Sequence, residues 1–480
     1  MQAVLSPIRP PHSPRPPRPL PRPLTALRRP AVLAWGLAAG FAALYICVAV
    51  NRHRRGLTKA YDLGIFEQAV RAYAHGQAPI VPIKGPGYHL LGDHFHPLIA
   101  ALAPAYRVFP SPVTLVVAQA LLMAPAVVPL TRWAHEVAGP RAALVVGCAT
   151  GASWGIVRAA SDDFHEIAFA VPLLAFAATA LGRRRPLAAA LWSLPLLLVK
   201  EDLGLTVAAV GALIAWQARE DRRSLLPGLA LAAVGLAATA ITVLVVLPLF
   251  NPTGGFDYWQ QVDGGGRPSV WSLALRLVWP PIKWLLLFLL AATAGFLGLR
   301  SPLFLLCAPT LAWRLLSTNS NYWGVSYHYS AVLMPLVLAA LVDSLRRVDV
   351  GRARRALAVS ALVTAVTLPL YPLHEVVMPE AWRTSPRLTE TRAMLRLIPD
   401  DATVAASNRL AAQLTSRADV TLVCREPVGP GPEWVAVDLR DPSVNSPCAT
   451  AATAHMLERY QQDGYRRLID QDGLLLLKRP

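Results

Sequence analysis

Five short polar islands interrupt an otherwise apolar chain, and each carries side chains able to move a proton, neutralise a phosphate or hold a cation. The first, "YDLGIFEQ" (61–68), offers Asp62 and Glu67. Five residues apart on one helix, they point about 140° away from each other and cannot act as a tight pair. Asp62 is followed by Leu63, Ile65 and Phe66, an apolar setting that pushes a carboxyl toward general-base range; the competing role is a helix cap. "GDHFHP" (92–97) offers Asp93, His94 and His96. Two imidazoles two residues apart with a carboxylate suit a divalent cation on an extended segment, or local hydrogen bonding at an interface.

"SDDFHE" (161–166) sets Asp162 and Asp163 within one turn of Glu166, beside His165. That is a cation site, an acid/base pair, or an acidic cluster complementing a helix dipole. In "KED" (200–202), Lys200 is a point charge suited to a lipid phosphate, with Glu201 and Asp202 beside it. Three adjacent ionised residues between apolar runs are expensive unless solvated or paired. The last island, "NYWGVSYHYS" (321–330), opens an apolar run. An aromatic belt accounts for its tyrosines and leaves His328 as the binding candidate.

The elements that must position these islands are membrane helices. The chain is 54% hydrophobic and 16% charged over 480 residues, with a mean hydropathy of +0.41. Apolar runs near the 20 residues a span needs recur from Ala31 to Leu373. They predict an all-α polytopic domain over 31–372 with about eleven spans: 31–50, 113–131, 141–160, 164–182, 187–199, 203–218, 226–250, 281–299, 302–318, 328–345 and 355–372. Residues 97–109 are too short to span and read as a juxtamembrane or half-inserted helix within the first outer loop, 51–112. Residues 1–30, rich in proline and arginine and free of acids, read as a disordered cytoplasmic tail.

The net charge of +17 comes from arginines lying between the apolar runs. That is the positive-inside pattern and not a nucleic-acid face. The five cysteines form no C-x-x-C motif. Placing the basic loops inside puts the N-terminus in the cytoplasm and leaves only Arg52, Arg54 and Arg55 in dissent. Of fifteen acids between residues 31 and 372, ten then fall on the outer side, which points to a shared outward-facing site. From residue 373 the composition shifts. "TVAAS", "VTLV", "WVAVDL" and "LLLLK" read as strands, "SPRLTETRAMLRLI" and "ATAHMLERYQQ" as helices, together a small extracytoplasmic α/β domain. It holds Cys424 and Cys448, which an oxidising compartment allows to pair.

"DLGIFEQA", "LGDHFHPLIAALAPAYRVFPSPVTLVVAQALLMA", "KEDLGL" and "HYSAVLMP" together resemble the bacterial membrane family called domain of unknown function 2079, over most of residues 55–345. That family is distantly similar to the C-class glycosyltransferases. The resemblance implies a multi-pass plasma-membrane protein that takes a sugar from a polyprenyl-phosphate donor on the outer face. An acid of the first outer loop would serve as base or cation-binding group, a position that falls on Asp62; the start of the juxtamembrane helix falls on His96 and Pro97. The chain lacks the adjacent Asp-Glu pair of better-known members after its first span. The alternatives are an envelope-lipid transporter or flippase, whose inverted repeats and midplane charges are not evident here, and a non-catalytic envelope assembly factor.

Overall fold

The computed structural model describes residues 25–220, 222–263, 269–427, 429–449 and 451–480. The tail expected to be disordered lies outside them as far as residue 24; from there helix α1, Thr25–Arg54, is already under way. Among the described residues, five helical stretches are long and apolar enough to cross a membrane: Pro30–Arg54, Pro112–Gly151, Leu225–Phe250, Ser320–Leu345 and Val350–Leu370. A sixth crossing results if the pair Val270–Val278 and Ile282–Thr293, bent by 56°, is one span. Pro97–Val108, Ile167–Gly182, Pro186–Leu198, Leu203–Gln217 and Pro302–Leu316 are apolar but shorter than a bilayer-crossing helix. The eleven expected spans fall on these stretches: Pro112–Gly151 takes two of them, the bent pair one, and four lie on the shorter helices.

The expected spans 113–131 and 141–160 lie on the two sides of a break in the stretch Pro112–Gly151. Helical geometry breaks inside it only at Gly139, whose φ of +80° costs a residue without Cβ nothing, followed by Pro140, which has no N–H to give. Elsewhere close packing replaces length. Leu203–Gln217 and Arg222–Ile241 meet backbone to backbone, so that a Cβ on Gly211 would sit 2.6 Å from the Gly228 carbonyl oxygen. Small residues permit that approach in helix pairs.

The C-terminal segment forms a five-stranded sheet of order β2-β1-β3-β5-β4. Its strands are β1 Thr403–Ala406, β2 Asp419–Leu422, β3 Trp434–Asp438, β4 Arg466–Gln471 and β5 Leu474–Lys478. β1 runs parallel to β2 and β3, and β5 antiparallel to β3 and β4. Alternate side chains face opposite layers, as a pleated strand requires. Val435, Val437, Leu475 and Leu477 pack with Met456 and Tyr460 of the helix Ala452–Gln462. Val404, Ala406, Trp434, Ala436, Leu474 and Leu476 face the other way. There they share one core with Leu63, Ile65, Phe66 and Val70, residues of the first outer loop and its helix α2, Ile65–Ala74. The 51–112 segment and the sheet domain are therefore packed as one unit. Cys424 and Cys448 are joined by a disulfide, with Cα atoms 6.1 Å apart.

Candidate functional site

The five islands, scattered over 270 residues of sequence, meet in one place. Asp62 Oδ2 lies 3.7 Å from His165 Nε2, and the His165 ring packs on His328 with centroids 3.6 Å apart. Lys200 Nζ donates to Glu166 Oε1 at 2.7 Å. His94 Nδ1 is 2.7 Å from Glu201 Oε1, and the Phe95 N–H donates to Glu201 Oε2 at 3.1 Å.

Local structure fixes each contributor. Gln119, fully buried, donates to the carbonyls of Ala159 and Asp163 and accepts the His165 N–H, each at 2.8 Å. It ties the 162–166 loop to the helix Pro112–Met123. Within that loop Asp163 takes φ +47°, a left-handed conformation that Asp tolerates better than most residues. Its Oδ1 accepts the Lys59 N–H at 2.7 Å, while Asn408 Oδ1 of the sheet domain accepts the Tyr61 N–H at 2.9 Å. The backbone leading to Asp62 is thus clamped from two sides. Arg314, fully buried, donates to the carbonyls of Tyr322, Gly324 and Tyr329 and to Ser330 Oγ, holding the segment that carries His328.

Most charges in the cluster are already spent on each other. For Glu166, burial alone would raise the carboxyl, but Lys200 with His96 and His94 brings it down to about 2. Burial works against the Lys200 ammonium, yet Glu166, Glu201 and Asp202 hold its pKa well above the ordinary lysine value. Asp93 accepts from Lys84 at 3.0 Å and from Tyr258 at 3.1 Å; against burial, His94 and Lys84 keep it below its usual value. Asp162 pairs with Arg52 and Arg158 at 3.3 and 2.9 Å. Burial, followed by the charges of Asp162 and Asp62, drives Asp163 well above the carboxylate range. Burial also raises Asp202 to about 6, although Trp313 Nε1 donates to it at 2.8 Å. His96 is pushed down to about 4 by burial and is neutral at pH 7.

Three expectations are revised by this geometry. Leu63, Ile65 and Phe66 turn into the core, whereas the Asp62 side chain remains 42% exposed, so the apolar setting expected around it is absent. Lys200 answers Glu166 and leaves no free charge for a phosphate. Asp93, His94, His96, Asp162, Asp163 and Glu166 do not converge as ligands: Lys84 takes Asp93, Glu201 takes His94, Arg52 and Arg158 take Asp162, the Lys59 N–H takes Asp163, Lys200 takes Glu166, and the His96 ring packs on Phe66. Among the described residues no three His, Cys, Asp or Glu come together as a metal would need.

What remains open is Asp62. Its side chain is 42% exposed, against 15% for Asp162, 12% for Asp93, 6% for Glu201 and 4% for Glu166. Beside it, His165 is buried with no hydrogen-bond partner for either ring nitrogen among the described residues. Lys84, Tyr258, Trp313, Asn408 and Arg314 were not foreseen. The scarcity of lysine was a usable signal for Lys84, since the 46 basic residues are mostly arginines.

Comparison with known proteins agrees with this architecture. A family described as a predicted membrane protein, domain of unknown function 2079, matches residues 52–476. No curated protein matches the chain. Among solved structures, ArnT from Cupriavidus metallidurans bound to undecaprenyl phosphate is similar in fold, with a TM-score of 0.54 and 13% identity over 92% of this chain and 98% of that one.

Proposed function

The chain belongs to this domain of unknown function 2079 family of membrane proteins, and on that premise we propose that it is a membrane glycosyltransferase-like enzyme. Its donor is a polyprenyl-phosphate-linked sugar used at the outer face, and its acceptor a hydroxyl of the cell envelope. The observation that carries the reading is the openness of Asp62 within a cluster whose other acids are buried or paired. The fold likeness to ArnT supports the distant resemblance to C-class glycosyltransferases, and that protein was solved bound to undecaprenyl phosphate.

In this mechanism Asp62 accepts the proton of the acceptor hydroxyl as its oxygen attacks the anomeric carbon. The bond from that carbon to the phosphate oxygen breaks, and polyprenyl phosphate leaves with the electron pair. His165 stands beside the same carboxylate oxygen. The surrounding ion pairs, Lys200–Glu166, His94–Glu201 and Lys84–Asp93, act as a rigid frame that costs no reorganisation during the reaction. Binding of the leaving phosphate at Lys200 would require displacing Glu166. Orientation follows the basic loops: N-terminus cytoplasmic, sheet domain outside.

The test is purified protein incubated with labelled polyprenyl-phosphate sugars and envelope acceptors. Release of free polyprenyl phosphate with labelled acceptor is expected from at least one donor. No transfer from any donor, with the protein folded and the acceptors present, contradicts the proposal.

A further inference from the structure

A cavity lies on the seam between the 51–112 segment and the sheet domain. It encloses about 450 Å³, within the range of small-molecule sites. Tyr61 and Pro86 form the wall on the loop side; Arg425, Pro447 and the Cys424–Cys448 disulfide form the other. Tyr61, which lines the cavity, immediately precedes Asp62 in the chain.

The chemistry of the walls is specific. A tyrosine ring and two prolines offer flat apolar faces of the kind that pack on the C–H face of a sugar ring. Arg425 supplies the charge. Its Nε is buried without a hydrogen-bond partner, and no carboxylate pairs with its guanidinium among the described residues. Glu426, which also lines the cavity, meets Arg459 at 3.5 Å. Behind Tyr61, Asn408 accepts the Tyr61 N–H and holds that residue in place. A buried N–H left unpaired is costly, and a fork of N–H donors matches a carboxylate or phosphate.

We propose that this cavity binds the acceptor, and that the acceptor is a sugar carrying an anionic group, a carboxylate or a phosphate, which pairs with Arg425. The assignment rests on the glycosyltransferase reading, because it places the hydroxyl to be glycosylated beside Asp62. The disulfide fixes the far wall, so the sheet domain is the acceptor-binding half of the site.

The experiment measures binding and not turnover. Full-length protein in phosphatidylcholine nanodiscs is titrated with glucuronate, glucose 6-phosphate and glucose, followed by saturation-transfer NMR. Both charged sugars are expected to bind, with glucose weaker by about tenfold or more, the worth of one charge-assisted hydrogen bond. Arg425→Ala should abolish that discrimination and Arg425→Lys should retain part of it, with an intact Cys424–Cys448 bond by mass spectrometry as the check on folding. Asp62→Asn should keep the binding, which separates this proposal from the transfer reaction. Equal binding of glucose and glucuronate by the wild type overturns the proposal without recourse to any variant. Displacement of the charged sugars by polyprenyl phosphate added to the nanodiscs also overturns it, because the anion site would then belong to the donor.

Discussion

Replacing Glu67 by glutamine should remove a pH-dependent cost from the core shared by α2 and the sheet domain. Glu67 is fully buried, and its carboxyl accepts from Tyr106 Oη at 2.9 Å and from Thr415 Oγ1. Burial lifts its pKa from 4.5 to about 7, and the hydrogen bonds from Thr415 and Tyr106 together with the Arg71 charge offset only part of that rise. With the folded pKa above the unfolded one, the folded chain holds more protons between pH 4.5 and about 7, and stability falls as pH climbs through that window. At about 1.4 kcal/mol per pH unit, the fall is about 3 kcal/mol between pH 4 and pH 8. Glutamine cannot ionise, and its amide can accept from one hydroxyl and donate to the other. The stability of Glu67→Gln relative to wild type should therefore rise by about 3 kcal/mol from pH 4 to pH 8. Denaturant unfolding of the outer unit at both pH values, followed by tryptophan fluorescence, measures this. A difference that does not change with pH, or one that moves the opposite way, refutes the burial argument.

Alkaline phosphatase fused after residue 380 should be active and a fusion after Arg223 inactive; the reverse pattern breaks the outer-face assignment of the whole cluster. Opening the Cys424–Cys448 bond, which spans 24 residues, should cost about 3 kcal/mol. The check is denaturant unfolding of Cys448→Ser against wild type, and finding both cysteines as free thiols in non-reduced wild type would remove the premise. Gly211→Val drives side-chain atoms into the backbone of the helix Arg222–Ile241, where even a Cβ would lie 2.4 Å from Ala232 N. It should cost at least the 1–3 kcal/mol typical of overpacking, read as a lowered melting temperature.

Several features of this architecture were legible in the sequence for physical reasons. β3 and β5 are buried on both faces, so "WVAVD" and "LLLLK" stand out as apolar runs. β4, Arg466–Gln471, is exposed along almost its whole length, carries no alternation, and escaped notice. The polar islands were visible because a charge beside an apolar run is rare. Their partners were not, since Lys84–Asp93 aside, contacts such as Tyr258 to Asp93 or Trp313 to Asp202 join residues more than 100 positions apart. Spacing placed Asp62 and Glu67 on different faces of a helix; only the packed structure shows one open and the other sealed beneath Thr415. Hydropathy located the apolar runs but does not register how short a helix can be when glycine backbones pack in direct contact, as at Gly211 and Gly228.

The central claim is that Asp62 is the working carboxylate of an outer-face transferase. Its most direct measurement is the rate of sugar transfer from a polyprenyl-phosphate donor by Asp62→Asn and by wild type at matched membrane expression. Asparagine caps a helix about as well as aspartate and keeps the shape of the side chain, so a structural role would survive the change. Loss of the base should lower the rate by about 10²–10⁴-fold, while Glu67→Gln stays within a few-fold of wild type. Wild-type transfer by Asp62→Asn would contradict the account.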